Sequence, residues 1–379
     1  MRRNILGLLL AACAVSIAAI NSASAATISP LVGFGGADGW LAPGEGGYAY
    51  LGTANNERGL AFGNGHVYLV SRTSVSGSAV NIRMLDQNTA ADLGGLNNTG
   101  ITGGTFVINA AAVGGDGVIY VGNLTTQSTT TPFKLYKWAT EASAPAVAYT
   151  GDGGLAASRV GDSLAGIGSG AATRIAAGYG STPAVTGNNG YSIVDPTGST
   201  AGAVGFVGTP PLAGDFRLGL TFTDSTHVLG TQGSSLYRYS SFSGAAGTLI
   251  GSPAIPDPAG ATADRLLAFT TIGGIPVLAI QSIGDSHVSV YDVTNPAAPI
   301  YLASGNNTTA PLTANANGTG QMAWGATTNN GDGTTSQVLY AMSTNQGIQA
   351  FVVTVPEPAA FLLVAILAGF LGLVRRRQL

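Results

Sequence analysis

Cysteine is almost missing from this chain: 379 residues contain one, Cys13, which excludes a structural disulfide and any site built on several thiolates. Charge is scarce as well. Asp, Glu, Lys and Arg make up 9% of the residues, against roughly 25% in ordinary soluble proteins, so salt bridges are few. The formal net charge of −3 gives no electrostatic ground for nucleic acid as a partner. No window between the two ends keeps a helical period. Gly33 to Gly36 and Gly151 to Gly154 lack the P-loop lysine and the dinucleotide fingerprint, and no GxSxG elbow occurs. No cofactor and no metal is therefore expected. What is plentiful is glycine, 57 residues, in a chain that is 45% hydrophobic; that is too apolar for disorder and implies many turns.

Both ends read as addresses. Arg2 and Arg3 precede an apolar run from Ile5 to Ile20, and Ala23-Ser24-Ala25 supplies the small residues that signal peptidase needs. Residues 1–25 are thus expected to be a signal peptide, cleaved after Ala25. A retained anchor fits less well, because the run is short and leads straight into the cleavage site. Leu10-Ala11-Ala12-Cys13 has the form of a lipobox, but the residues after it stay apolar where a lipoprotein tether turns polar.

At the other end Val355-Pro356-Glu357-Pro358 interrupts the fold, Ala359 to Val374 carries no charge, and Arg375, Arg376 and Arg377 follow. An apolar helix of that length reaches about 24 Å, just under the roughly 30 Å hydrocarbon core, and spans it if the arginines snorkel. The positive-inside rule puts the Arg cluster in the cytoplasm and the preceding domain outside. This order of Pro-Glu-Pro, apolar helix and Arg cluster resembles the PEP-CTERM sorting signal. The resemblance implies a transient stay in the inner membrane, cutting by an exosortase near the motif, and delivery to the cell surface or extracellular matrix of an exopolysaccharide-making Gram-negative bacterium. An ordinary C-terminal anchor is the plainer alternative for residues 355–379.

Between them, residues 26–354 carry ten basic and 17 acidic side chains and show a period near 50. First runs recur as RGLAF at Arg58, FVINAAAV at Phe106, SLAGIG at Ser163, RLGLTF at Arg217, RLLAFT at Arg265 and GQMAWG at Gly320. Second runs begin at Gly65, Gly117, Thr173, His227, Ile275 and Ser336; third runs begin at Val80, Phe133, Tyr191, Ser235, His287 and Gly347. Most units close with a short fourth run, such as PAVAY at Pro145 or PIYLA at Pro299. Four strands per unit at this period predict an all-β fold, a β-propeller of six blades. The sixth unit has only three runs, and GYAYLGT, Gly47 to Thr53, is expected to complete it and close the ring. A right-handed β-helix or two β-sandwiches would also give many short strands. The segment ANNERGLAF from Ala54, with LNNTGITGGTFVINAAAVGGDGVIYVGNLT from Leu96 and PFKLYKW from Pro132, resembles an uncharacterised family of secreted bacterial propeller-like domains, which implies the fold and no activity.

Chemistry has few places to sit. Arg58, Arg217 and Arg265 start first strands, each with an acid just before it, Glu57, Asp215 and Asp264, and Arg159 and Asp162 occupy the equivalent place in the third unit. First strands of a propeller line its channel, so these residues should ring one mouth, either binding a sugar or supplying a general acid and base. The plainer reading makes them bridges between blades. His66, His227 and His287 each precede Val at a turn and are expected at separate surface turns. Asn329 to Gly333 and Gly151 to Gly154 have oxygen ligands without the full calcium-loop spacing, so hairpin turns are expected. Asn97, Asn123, Asn306, Asn307 and Asn317 fit N-x-Ser/Thr and read first as turn residues. The whole points to a surface or matrix protein with a non-catalytic module for exopolysaccharide, or else to a propeller hydrolase or lyase using Glu57, Asp162, Asp215 and Asp264. Intact mass and cell fractionation check the addresses. The released protein should start at Ala26, lack Arg375 to Arg377, and leave the inner membrane only in cells that have the sorting protease; a full-length C-terminus held in the membrane in both strains overturns the sorting.

Overall fold

The computed structural model describes residues 26–75, 77–181, 189–206, 216–231, 237–256 and 264–357, with Ser181, Asn189, Phe206 and Asp264 described in their backbone only. Ala23, Ala25, Asp215, Pro358 and Arg375 to Arg377 lie outside them. Among the described residues no helix is long and apolar enough to cross a membrane, and the expected tail helix falls outside the described set.

Six antiparallel sheets follow one another along the chain. Blade 1 is Glu57–Gly63, His66–Ser71, Asn81–Asp86 and Asp92–Gly95; blade 2 is Phe106–Val113, Ile119–Leu124, Phe133–Trp138 and Ala146–Gly151. Blade 3 runs Ser158–Ile167, Arg174–Ser181, Asn189–Asp195 and Thr200–Ala203, and blade 4 runs Gly219–Asp224, His227–Thr231, Tyr237–Ser243 and Ala246–Gly251. Gly205–Phe206 adds a short parallel strand to the outside of blade 4. Blade 5 is Asp264–Ile272, Ile275–Ser282, Val288–Asp292 and Ile300–Gly305. Blade 6 is Gly320–Asn329, Thr334–Ser343 and Ile348–Pro356, completed by Thr27–Pro30 from the other end of the chain. The first strands of consecutive blades touch in a closed cycle, from blade 1 round to blade 6 and back to blade 1. The six-bladed propeller is therefore complete, and the β-helix and sandwich alternatives are excluded.

The closing strand is not the expected one. Gly47 ends a short 3-10 helix, Glu45–Gly47, and no strand forms from there to Thr53. Gly47 has φ +69°, and Tyr48 and Tyr50 stack at 5.3 Å, with the Tyr48 hydroxyl accepting from the Asp92 N–H at 3.0 Å. This segment caps blade 1, and Thr27–Pro30 closes the ring instead, with Thr27 opposite Thr354. Trp40–Leu41 also pairs with the strand Ile348–Pro356. The folded domain also runs slightly past the expected limit at 354. Pro356 pairs with Thr334, the Glu357 N–H donates to Gly333 O at 2.8 Å, and the Glu357 carboxylate accepts from Thr335 Oγ1 at 3.0 Å and from Asn329 Nδ2 at 3.2 Å.

Packing follows from the two-residue period of a strand, which sends neighbours to opposite faces. In blade 1, Val67 and Leu69 enter the apolar layer shared with blade 6, while Tyr68 and Val70 enter the layer shared with blade 2. The other four junctions are filled in the same way. Near the axis the blades come too close for ordinary side chains. A Cβ on Gly219 would stand 1.6 Å from Arg265 O of the next blade, so the backbone itself would have to move. Gly219→Val should cost about 3 kcal/mol by overpacking, read as a lower midpoint in urea, whereas Gly244→Ala, at an open turn with nothing near its Cβ position, should cost less even though its φ is +57°.

Candidate functional site

Each first strand runs down the axis with one edge paired to its own blade and the other facing the lumen. At the upstream mouth, where these strands begin, four of them break register against their partners: between Glu57 and Gly59, Phe106 and Ala110, Val160 and Leu164, and Asp264 and Leu266. The residues set free are Arg58, Asn109, Asp162 and Arg265 among others, and a bulge turns such side chains out of the sheet.

The bulged residues tie blade to blade. Arg72, just past the second strand of blade 1, donates from Nε to Ile108 O at 2.9 Å and from Nη2 to Asn109 Oδ1. Asn109 donates on to Gly161 O at 2.5 Å and Asp162 O at 3.1 Å in blade 3. Ser163 Oγ donates to Arg217 O at 3.0 Å, and Thr231 Oγ1 to Arg265 O at 2.5 Å. Gln346 accepts from Ser286 Oγ at 2.7 Å and donates to Ile283 O at 3.1 Å, joining blades 5 and 6. Thr344 Oγ1 donates to Glu57 O at 2.7 Å, and Arg58 Nη1 donates to Thr319 Oγ1 at 2.5 Å, which returns the belt to blade 1.

The expected carboxylate ring is present in part. Asp162 is 3% exposed and takes Arg159 in a two-pronged contact, Nε at 2.5 Å and Nη2 at 2.6 Å, which raises the Arg159 pKa. Glu57 is 1% exposed; its Oε1 accepts from the Gly52 N–H at 2.9 Å, and its Oε2 has no partner. Burial raises its pKa above the ordinary carboxylate value. It does not pair with Arg58, whose Nε goes to Asn55 O at 2.9 Å. Burial lowers the Arg58 pKa, and burial with the neighbouring Arg58 and Arg159 charges pushes Arg72 down to about 9, still protonated at neutral pH. The side chains of Arg217 and Arg265 make no hydrogen bond or ion pair among the described residues, and the Nε of each is buried without a partner.

Halfway along, Gln321 of blade 6 crosses the lumen. Its Oε1 accepts from the Leu60 and Ala111 N–H groups, both at 3.1 Å, and its Nε2 donates to Leu164 O at 3.0 Å and to Ala111 O. One side chain thus satisfies lumen edges of blades 1, 2 and 3. Above it the throat has a volume of about 10 Å³, room for about one water. Below it a cup of about 210 Å³ opens at the downstream mouth, walled by Phe62, Phe269 and Trp324 among others.

The histidines do not meet. His66 Nδ1 lies 2.6 Å from Glu141 Oε1, which also accepts from the Tyr68 hydroxyl at 2.6 Å; His227 sits 2.8 Å from Asp224 of its own turn; His287 belongs to blade 5, with Nε2 buried and unpartnered. No group of three metal-ligating side chains occurs among the described residues. Asn329 accepts from the Gly331 N–H, Asp332 from Thr334 and Asp152 from Gly154; Asn329 to Gly333 is the expected hairpin turn, whereas Gly151 to Gly154 is a turn between blades 2 and 3 and not a hairpin. Of the five sequons, Asn123 and Asn307 are buried and hydrogen-bonded to backbone; Asn97, Asn306 and Asn317 are exposed. Gln321, Asn109 and Arg72 were not marked by the sequence, because their roles depend on register breaks and on a reach across the axis.

A family described as a domain of unknown function, DUF4623, matches residues 46–192, a stretch containing the segment that resembles secreted propeller-like domains. None of the curated proteins matches the sequence. A DUF4623 family protein from Bacteroides eggerthii is similar in structure, with a TM-score of 0.57, 17% identity, and cover of 80% of this chain and 71% of that one; the likeness is one of fold. The allergen Mala s 1 of Malassezia sympodialis scores 0.48 at 9% identity, covering 79% and 92%. An α-L-arabinanase of Penicillium chrysogenum with bound arabinobiose scores 0.49 at 10%, covering 87% and 98%.

Two substitutions check this geometry. Gln321→Leu leaves several lumen groups unpaired and should destabilise the domain by about 2 to 4 kcal/mol, read in urea unfolding. Glu57→Gln should stabilise at pH 7. An acid whose folded pKa is raised weakens the fold as pH climbs through the ordinary carboxylate range toward the raised value, so the advantage of Gln should shrink on acidification in a series of melts.

Proposed function

We propose that this chain is an exported surface or matrix protein whose propeller is a non-catalytic binding module for extracellular polysaccharide, delivered through Pro356, Glu357 and the tail beyond them by signal peptidase and an exosortase-type protease. One observation carries the binding reading. The described carboxylates of the upstream mouth are committed to the scaffold, Asp162 to Arg159 and Glu57 to the Gly52 amide, so among the described residues no acid–base pair faces an open cleft. The raised pKa of Glu57 is what a general acid would need, but a side chain 1% exposed does not meet a substrate.

The direction of the last strand agrees with display. Ile348–Pro356 starts beside the upstream mouth and ends at the downstream turn holding Glu357. A tail held in the inner membrane would therefore turn the upstream mouth outward. The competing reading, a hydrolase or lyase, is tested by incubating the mature protein with matrix polysaccharide and assaying new reducing ends and unsaturated products. None should form above background, and binding should survive in Glu57→Gln. Product formation that disappears in Glu57→Gln or Asp162→Asn establishes the enzyme instead.

A further inference from the structure

Among the described residues the upstream mouth gathers more positive charge than its acids neutralise. Eight arginines lie between residues 26 and 357, and five of them, Arg58, Arg72, Arg159, Arg217 and Arg265, stand at this one mouth although the domain as a whole is acidic. They interact in two groups. The charge of Arg159 and that of Asp162 act on both Arg58 and Arg72, and the charge of Arg217 acts on Arg265. Among the described residues the acids facing them are Asp162 and Glu57, and Asp162 is taken by Arg159.

The bonding of each guanidinium shows which are spent. Arg58 and Arg72 are held by neutral oxygens, those of Asn55, Thr319, Ile108 and Asn109. Arg217 and Arg265 are half-buried, with Nε shielded from solvent and without a partner among the described residues. Arg265 packs its Nη1 against Gly318, where even a Cβ would stand 1.9 Å from it. Half-buried guanidinium groups without acceptors are costly, and an oxyanion supplies what they lack: a negative charge with oxygens spaced for the planar fork. The mouth stays reachable, since the Arg159 side chain is 29% exposed, and the narrow throat beneath it keeps a chain at the rim.

We infer that the upstream mouth is an oxyanion site, with Arg217 and Arg265 as its principal donors, and that it takes the carboxylate or sulfate groups of an acidic polysaccharide. This inference rests on the binding-module reading and narrows it to one ligand class.

The test is calorimetric titration of the mature protein with an oligogalacturonate, a heparin-derived sulfated oligosaccharide, inorganic phosphate alone, and a neutral dextran oligosaccharide. One or both acidic oligosaccharides should bind. The Kd should rise at least tenfold in Arg217→Gln/Arg265→Gln, less in Arg217→Lys/Arg265→Lys, which keeps the charge and loses the fork, and also in high salt. Thermal melts select variants that fold like the parent, and the single Gln variants stand in if the double does not. Dextran bound as tightly as the acidic chains, a Gln variant binding like the parent, or no binding of any anion overturns the oxyanion site. Phosphate binding as tightly as the oligosaccharides overturns the polysaccharide as ligand. Dextran binding would leave the module reading standing, whereas cleavage of an oligosaccharide would sink that reading.

Discussion

A propeller leaves the innermost strand of every blade with one edge unpaired inside the ring, and this constraint governs the molecule. The first strand of each sheet bonds to its own blade on one side only; on the other its amides and carbonyls face a lumen too narrow for bulk water. Unpaired buried backbone costs about 1 to 3 kcal/mol per group. Small residues, among them Gly219 and the run Ala110 to Ala112, let the strands approach the axis, and Gln321 then bonds to three of them at once. A single amide fits the task because it both accepts and donates, which neither a carboxylate nor an ammonium can do.

The same economy marks the upstream mouth. With few charges to use, the chain joins its blades through Ser, Thr, Asn and Gln side chains bonded to neighbouring backbone, and places arginines where strands lose register. The bulges are the link between fold and chemistry. They free Arg58, Asp162 and Arg265 from the alternation of the sheet and direct them to a common rim. Arg58, Arg72 and Arg159 are tied into the scaffold there, whereas the side chains of Arg217 and Arg265 make no such bond among the described residues.

Most of the strands were legible because alternating apolar residues bounded by glycine-rich turns leave few other readings, and the 50-residue period supplied the blades. The closure was only half legible. The segment Gly47 to Thr53 has the composition of a strand, but Gly47 takes a left-handed conformation and Tyr48 and Tyr50 stack on each other. The true closing strand, Thr27–Pro30, is four residues long and mostly exposed, with little periodicity to see. Glu57 turns to the Gly52 amide and Arg58 to Asn55 O and Thr319, so these neighbours do not pair, whereas Arg159 and Asp162 meet where the chain bulges between Val160 and Leu164. Reach across the axis, as from Gln321 to Ala111, leaves no local mark in sequence at all.

Closure by Thr27–Pro30 has a consequence in time. Thr27–Pro30 is made more than 300 residues before its partner Ile348–Pro356, so the ring stays open until that last strand is available. Contacts between such distant segments slow folding through the entropy of closing the loop, and meanwhile the outer edge of blade 6 and the facing sides of blades 1 and 6 are uncovered. The isolated early blades can form, but the structure locks only when its two ends meet; a chain cut short before Ile348 lacks not one strand but the latch of the whole ring.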